Sequence, residues 1–319
     1  MSPFVNDTNA IEVANLRMSH RGVDALKGID LVVPAGTVMG LLGPNGAGKT
    51  TTVRIIATLL SPTSGSVHIN GIDARTHSHQ VRSLIGLSGQ HAVVDDNLTG
   101  HENLVMIARL SGLGRKQATL RSRELLEQFN LATAGKRRVA TYSGGMRRRI
   151  DLAGAIIIRP PVLLLDEPTA SLDPISRTEL WSEIKALVYE GTSVLLTTQY
   201  LEEADQLADA VTVIVGGEVV ARGTPAELKS KLRTAQVRLQ LTRAGDARSA
   251  SEVIGRLDGV QSVGVDGSVI TYSTHDASRS LTHAIGVLAR TGIEVTDSSV
   301  SEPTLDDVFV SLAGSAPRG

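Results

Sequence analysis

The sequence predicts an α/β fold with a helical insertion, followed by a small α+β module of the ferredoxin-like kind. Three observations carry this. A short apolar run, Val38 to Leu42, feeds Gly43-Pro44-Asn45-Gly46-Ala47-Gly48-Lys49-Thr50-Thr51, and a segment with apolar residues at 53, 55, 56, 59 and 60 leaves it. A second apolar run, Val162 to Leu165, ends in Asp166-Glu167. Beyond Pro225, strand and helix patterns follow one another in β-α-β-β-α-β order.

The chain has 319 residues, which suggests about two domains. Three phenylalanines, four tyrosines and one tryptophan leave little for base-stacking platforms. A net charge of −1 gives no basic footprint, so no nucleic-acid partner is expected. There is no cysteine, which excludes disulfides, thiolate metal sites and thiol catalysis. Met1 to Ala10 lacks an apolar signal core, so no export is expected. No apolar run reaches the ~20 residues that span a bilayer, because Arg159-Pro160-Pro161 splits the longest candidate. The chain is expected to be soluble and to meet a membrane only as a peripheral partner.

In chain order, Ile11 to Leu16 alternates as a strand and Ile29 to Val33 is its partner. Met18 to Val23 between them is polar and loop-like, and His20 or Arg21 could stack on a base there, or simply be solvated. Gly43 to Thr51 fits G-x-x-x-x-G-K-[ST] in its required strand–helix context, the signature of a P-loop nucleotide-binding fold. Its glycines let successive N–H groups face phosphate oxygens, and the helix end adds a positive dipole. Lys49 suits the β- and γ-phosphates, and the Thr50 hydroxyl suits Mg²⁺. A helix is expected over Thr51 to Leu60, a turn at Ser61 to Gly65, and a strand over Ser66 to Asn70. Leu84 to Ser88 is a strand leading to Gln90, whose carbonyl suits Mg²⁺ or the attacking water. Taken alone, Gln90 is more simply a surface glutamine.

Leu98 to Leu131 is helical, with a capping-box start at Thr99-Gly100-His101-Glu102 and a second helix from about Gln117 to Phe129. It lacks strand signals, and the helical insertion is placed at about residues 98–159. Lys136-Arg137-Arg138 and Arg147-Arg148-Arg149 are short runs best explained as solvated faces. Ser143-Gly144-Gly145 opens a helix to Arg159 and offers bare N–H groups and a hydroxyl, a second phosphate-facing start. Asp166 at the end of a buried strand suits support of Mg²⁺, and Glu167 can orient or deprotonate water. Ser171-Leu172-Asp173-Pro174 is a turn before a helix burying Leu180, Trp181, Ile184, Leu187 and Val188. Ser193 to Thr198 is a strand ending at Gln199, and Val211 to Val215 pairs with Glu218 to Ala221 across Gly216-Gly217.

With these pieces in order, roughly residues 10 to 225 resemble the ATP-binding cassette family of transporter ATPases. The likeness rests on the phosphate loop, Gln90, Ser143-Gly144-Gly145-Met146, Asp166-Glu167, Ser171-Leu172-Asp173 and the strand ending at Gln199. It implies ATP and Mg²⁺ as cofactors, bound by Gly43 to Thr51, Gln90, Ser143, Gly144, Gly145 and Asp173, with Thr50, Gln90 and Asp166 as the metal set. Lys49, Glu167 and Gln199 are the implied catalytic residues. It further implies a head-to-tail homodimer, in which the Ser143 loop of one subunit closes on ATP held by Lys49 of the other. The family usually has histidine where Gln199 stands; an amide can donate a neutral hydrogen bond there but cannot titrate. Thr197-Thr198-Gln199-Tyr200-Leu201-Glu202-Glu203-Ala204-Asp205 looks like the daunorubicin/doxorubicin-resistance branch, where glutamine is usual.

The boundary is expected at Arg222-Gly223-Thr224-Pro225, giving a nucleotide-binding domain over residues 1–224 and an accessory or regulatory domain over 225–319. The second has a short helix from Pro225 to Leu232, strands at 237–242, 260–265, 269–273 and 293–298, and helices at 250–257 and 277–289. His275 and His283 are isolated. Leu305, Val308, Phe309 and Leu312 form one stripe of a terminal helix, for a dimer contact or for its own domain.

The leading expectation is the ATPase subunit of an exporter of a drug- or antibiotic-like amphipathic molecule, peripheral at the cytoplasmic face and driving a separate multi-span membrane permease. A soluble cassette ATPase on DNA or ribosomes is disfavoured: no long heptad arm separates Lys49 from Asp166, and one phosphate loop is present instead of two. A regulatory nucleotide sensor is the third reading, motivated by Gln199 and the extra domain.

Overall fold

The computed structural model describes residues 9–20, 22–89, 94–170, 172–230, 235–301 and 304–314. The chain divides into two compact units, Met1–Pro225 and Ala226–Gly319.

The first unit opens with a long hairpin, β1 (Asn9–His20) and β2 (Val23–Pro34), whose alternate residues Ile11, Val13, Leu26, Ile29, Leu31 and Val33 are buried. The polar stretch that starts at Met18, expected as a loop, instead extends both strands, β1 to His20 and β2 from Val23. Ser19 pairs with Asp24 and His20 with Val23. Backbone pairing makes no demand on hydropathy, so exposed polar residues extend the strands. Arg21 and the side chain of His20, the candidate base-stacking residues, lie outside the described residues.

Next come β3 (Val38–Leu42) and α1 (Lys49–Ile56). The helix stops four residues short of the expected Leu60, where Thr58 turns to φ 58° and Leu59 is exposed. β4 (Ser64–Ile69) and the two-residue β5 (Ile72–Asp73) turn back through Asn70 and Gly71, both at positive φ as the tightest hairpins require. These strands complete an antiparallel sheet in the order β2-β1-β4-β5.

The remainder of the unit supplies α2 (Ser78–Arg82), β6 (Ile85–Ser88), α3 (Gly100–Leu110), α4 (Arg115–Gln128), α5 (Gly144–Ala155), β7 (Val162–Asp166), α6 (Pro174–Tyr189), β8 (Ser193–Thr198), α7 (Leu201–Leu207), β9 (Ala210–Val215) and β10 (Glu218–Gly223). The Thr99–Glu102 capping box is present at the start of α3. α5 ends at Ala155 instead of Arg159, which adopts φ 51°.

β10-β9-β3-β8-β7-β6 form the central sheet, parallel except for β10. Every residue of β3, β7 and β8 is buried, as expected of strands covered on both faces. Their side chains alternate between two cores. Leu163, Leu165, Val194 and Leu196 join the helices of the insertion and α6 on one face. Val162, Leu164, Leu195, Met39 and Leu41 join α1 and the antiparallel sheet on the other.

The second unit contains α8 (Pro225–Ser230), whose last expected residues lie outside the described range, then β11 (Ala235–Leu241), α9 (Ala247–Ile254), β12 (Val260–Asp266), β13 (Val269–Thr274), α10 (Ala277–Arg290), β14 (Val295–Ser301) and α11 (Leu305–Gly314). Its antiparallel sheet runs β12-β13-β11-β14, the ferredoxin-like order. Val237, Leu239, Ile270 and Tyr272 pack against Ala250, Ile254, Ala284 and Leu288. His275 and His283 are exposed. In α11, Leu305 and Val308 are buried, and Asp307 accepts a hydrogen bond from Gln236 of the same unit. The Leu312 side chain lies outside the described residues.

Candidate active site

Two flanking strands place β3 at the middle of the central sheet, so the loop after it opens at the carboxyl edge of a rigid support. Gly43 passes against the Ile214 carbonyl with no room for a Cβ, and Gly48 holds φ 106° with a Cβ position only 2.5 Å from Leu26 Cδ2. Glycine is required at both for close approach. The Ala47 N–H donates to Pro44 O at 3.1 Å and closes the turn, and α1 starts at Lys49 with its first N–H groups free of intrahelical acceptors.

Lys49 is almost fully buried and lies across the loop. Its Nζ donates to Gly43 O at 2.8 Å and Pro44 O at 3.3 Å, and stands 3.7 Å from Glu167 Oε1. Thr50 Oγ1 lies 3.2 Å from Asp166 Oδ1. Glu167 has a left-handed backbone, φ 52°, and its N–H donates to Thr197 O at 3.0 Å and Thr197 Oγ1 at 3.2 Å. Such strain in a non-glycine residue persists only where surroundings enforce it. A cavity of about 440 Å³ is lined by Asn45, Arg148, Glu167, Ala170 and Gln199.

Thus Lys49, Thr50, Asp166, Glu167 and Gln199 come together from three adjacent strands and the loop. Gln90 lies outside the described residues, as does Ser171. Ser143 caps α5, accepting from Met146 N–H at 3.3 Å. Asp173 caps α6, accepting from Ser176 N–H at 3.0 Å and Ser176 Oγ at 2.7 Å, and the Ser176 N–H holds its carboxyl below the usual range. Gly145 packs against Ser176, so these two turns are neighbours. Among the described residues, no hydrogen bond or ion pair joins Ser143, Gly144, Gly145 or Asp173 to the phosphate loop.

Sequence reasoning missed two residues. Thr197 bonds both acids of the strand end. Arg148 is not on a solvated face: its side chain is 11% exposed and its guanidinium meets backbone carbonyls beside the cavity. Three consecutive helical arginines fan over about 200°, so they cannot share one face. Arg147, 34% exposed and 2.7 Å from Asp96, is the most solvated of the three, whereas Arg149, 3.3 Å from Glu179, is only 16% exposed. Glu203, three residues into α7, is also fully buried, with Trp181 Nε1 3.3 Å from Oε1. Burial is the main cause that raises its pKa above the usual value.

A phosphate loop at the centre of a parallel sheet, facing a strand-end Asp-Glu pair and carrying a helical insertion, defines an ATP-binding cassette ATPase. The chain belongs to that family, in the branch of the daunorubicin/doxorubicin-resistance ATP-binding subunits. Residues 26–170 match the family described as ABC transporter, and residues 223–313 match the ATP-binding protein DrrA1-3-like C-terminal domain. The daunorubicin resistance ATP-binding protein DrrA3 of Streptomyces coeruleorubidus is 46% identical over 309 residues, covering 97% of each chain. The daunorubicin/doxorubicin resistance ATP-binding protein DrrA of Streptomyces peucetius is 46% identical, covering 96% of this chain and 93% of its own. A solved ATP-binding subunit of an ABC transporter superposes with a TM-score of 0.64 at 28% identity, over 70% of this chain and 93% of its own. The chain is therefore an ATP-binding ATPase subunit. Among the described residues, no helix is long and apolar enough to cross a membrane.

Proposed function

We propose that this chain hydrolyses ATP to power export of a drug- or antibiotic-like amphipathic molecule through a separate multi-span membrane permease, from the cytoplasmic face. The observation that carries the ATPase chemistry is that Lys49 meets Glu167 and Thr50 meets Asp166 beside a cavity lined by Glu167 and Gln199. The drug resistance conferred by the 46%-identical relatives, as their names state, supports the cargo class.

Phosphates seat on the N–H groups of Gly43 to Thr51, and Lys49 exchanges its carbonyl partners for β- and γ-phosphate oxygens. Thr50 and Asp166 aim a hydroxyl and a carboxylate at one point, a hard oxygen set that fits Mg²⁺, with Gln90 as the third member. The metal would neutralise charge developing on the transferring phosphoryl group. Glu167 holds the attacking water and accepts its proton, and Gln199 donates a neutral hydrogen bond towards the γ-phosphate. Ser143, Gly144 and Gly145, which make no hydrogen bond to the chain's own phosphate loop among the described residues, close on the nucleotide of a head-to-tail second copy, with Asp173 beside them. The second unit is an accessory, regulatory module.

The test is affinity capture of the tagged chain from detergent-solubilised native membranes. A stoichiometric multi-span protein is expected. Recovery only with ribosomes or DNA would refute the exporter reading, and failure of the assembled complex to hydrolyse ATP would favour a nucleotide sensor.

A further inference from the structure

The Arg148 side chain has no part in the chemistry just described, yet it is enclosed at the cavity. From α5, its Nε donates to Pro168 O at 2.6 Å, and its Nη2 lies 3.4 Å from Asp166 O. Those carbonyls stand on either side of Glu167. Nη1 donates to Gly89 O at the end of β6 and lies 3.4 Å from Asp151 Oδ2, which also accepts from Ser88 Oγ at 2.6 Å. Five donors in a fixed planar fork are what allow one side chain to satisfy three carbonyls from two segments, after β6 and at the end of β7; a lysine offers a single nitrogen. On its opposite side Glu167 is held by Thr197 through its N–H. The strained φ of 52° is therefore clamped from α5 and from β8.

We propose that Arg148 is a positioning residue for hydrolysis: it fixes the backbone around Glu167 from the same helix whose capped start carries Ser143-Gly144-Gly145. It rests on the reading of Glu167 as the base. If Ser143 engages the nucleotide of the second copy, a displacement of α5 moves Arg148 and with it this subunit's own Glu167. The clamp makes α5 a mechanical link between the two sites.

The test is steady-state ATPase kinetics and nucleotide binding on the full chain with Arg148→Met, Arg148→Lys, Glu167→Gln and the double variant Arg148→Met/Glu167→Gln. Misplacing a reacting group by about 1 Å costs ~10²-fold in rate. Arg148→Met is expected to lower kcat by about that factor, with KM and ATP affinity changed less than about threefold. Arg148→Lys, which keeps the charge and fits the same space, should fold normally and recover only part of kcat. In the Glu167→Gln background, Arg148→Met should remove almost nothing further. An equal proportional loss in that background would overturn the proposal, as would a loss of ATP affinity in Arg148→Lys or wild-type turnover in Arg148→Met. Wild-type turnover in Glu167→Gln would instead sink the assignment of the base itself.

Discussion

The Thr197 hydroxyl donates to Asp166 Oδ1 at 2.5 Å while accepting from the Glu167 N–H at 3.2 Å. One fully buried side chain on β8 thus braces both acids at the end of β7. The pairing of Asp166 with Thr197 in the parallel register of these strands puts it there. Thr197→Val keeps the shape and takes the hydroxyl donor from the buried Asp166 carboxylate, while the Glu167 N–H keeps its bond to the Thr197 carbonyl. A stability loss of about 1–3 kcal/mol is expected in urea unfolding, together with a drop in kcat larger than any change in KM.

Glu167→Gln removes the proposed base while its amide still fits the site. Turnover should fall by ~10²–10⁴-fold. ATP binding should survive, and the variant should accumulate as an ATP-dependent dimer in size-exclusion chromatography. Normal turnover would exclude Glu167 as the base.

Gln199 lines the same cavity as Glu167. Gln199→Ala should lose hydrolysis but retain ATP binding, measured by fluorescent-nucleotide titration beside phosphate release. Gln199→His should turn over, unlike the alanine variant, and introduce an inflection in its pH profile at ~6.5, the ordinary histidine value. An unchanged rate in the alanine variant would exclude a catalytic role.

Glu203 is wholly buried, and its pKa is raised above the ordinary value of 4.5, first by desolvation; Thr198, Thr169, Trp181 and Arg177 pull the other way. A raised folded-state pKa means that the folded state binds the proton more tightly than the unfolded state. Stability from this group is then complete below about pH 4.5 and is lost as pH rises towards the folded value. Glu203→Gln should therefore gain stability relative to the parent with rising pH above 4.5, and show a pH-independent difference below it. Thermal unfolding of both proteins across pH 4 to 8 checks this; a difference that stays constant with pH would refute it.

The phosphate loop, the Asp166-Glu167 strand end and the β-α-β-β-α-β order of the second unit were legible because each is a local pattern. The loop needs glycines at fixed offsets, the buried strands need unbroken apolar runs, and the small sheet needs period-two alternation. Helix ends were less legible: α1 and α5 stop where Thr58 and Arg159 enter the left-handed region, and no residue preference announces that. The hairpin of β1 and β2 extended through polar residues because its bonds are backbone bonds.

By itself, the sequence determined the fold class, the nucleotide chemistry and which acids end the buried strand, since those follow from residue type and spacing along one segment. Only the tertiary structure decided that Thr197 and Arg148 clamp those acids, and that Glu203 is buried against Trp181. The reason is physical: these contacts join residues far apart in sequence, through strand register and helix rotation. A threonine on a strand or an arginine in a basic run looks the same whether it faces solvent or holds an active site.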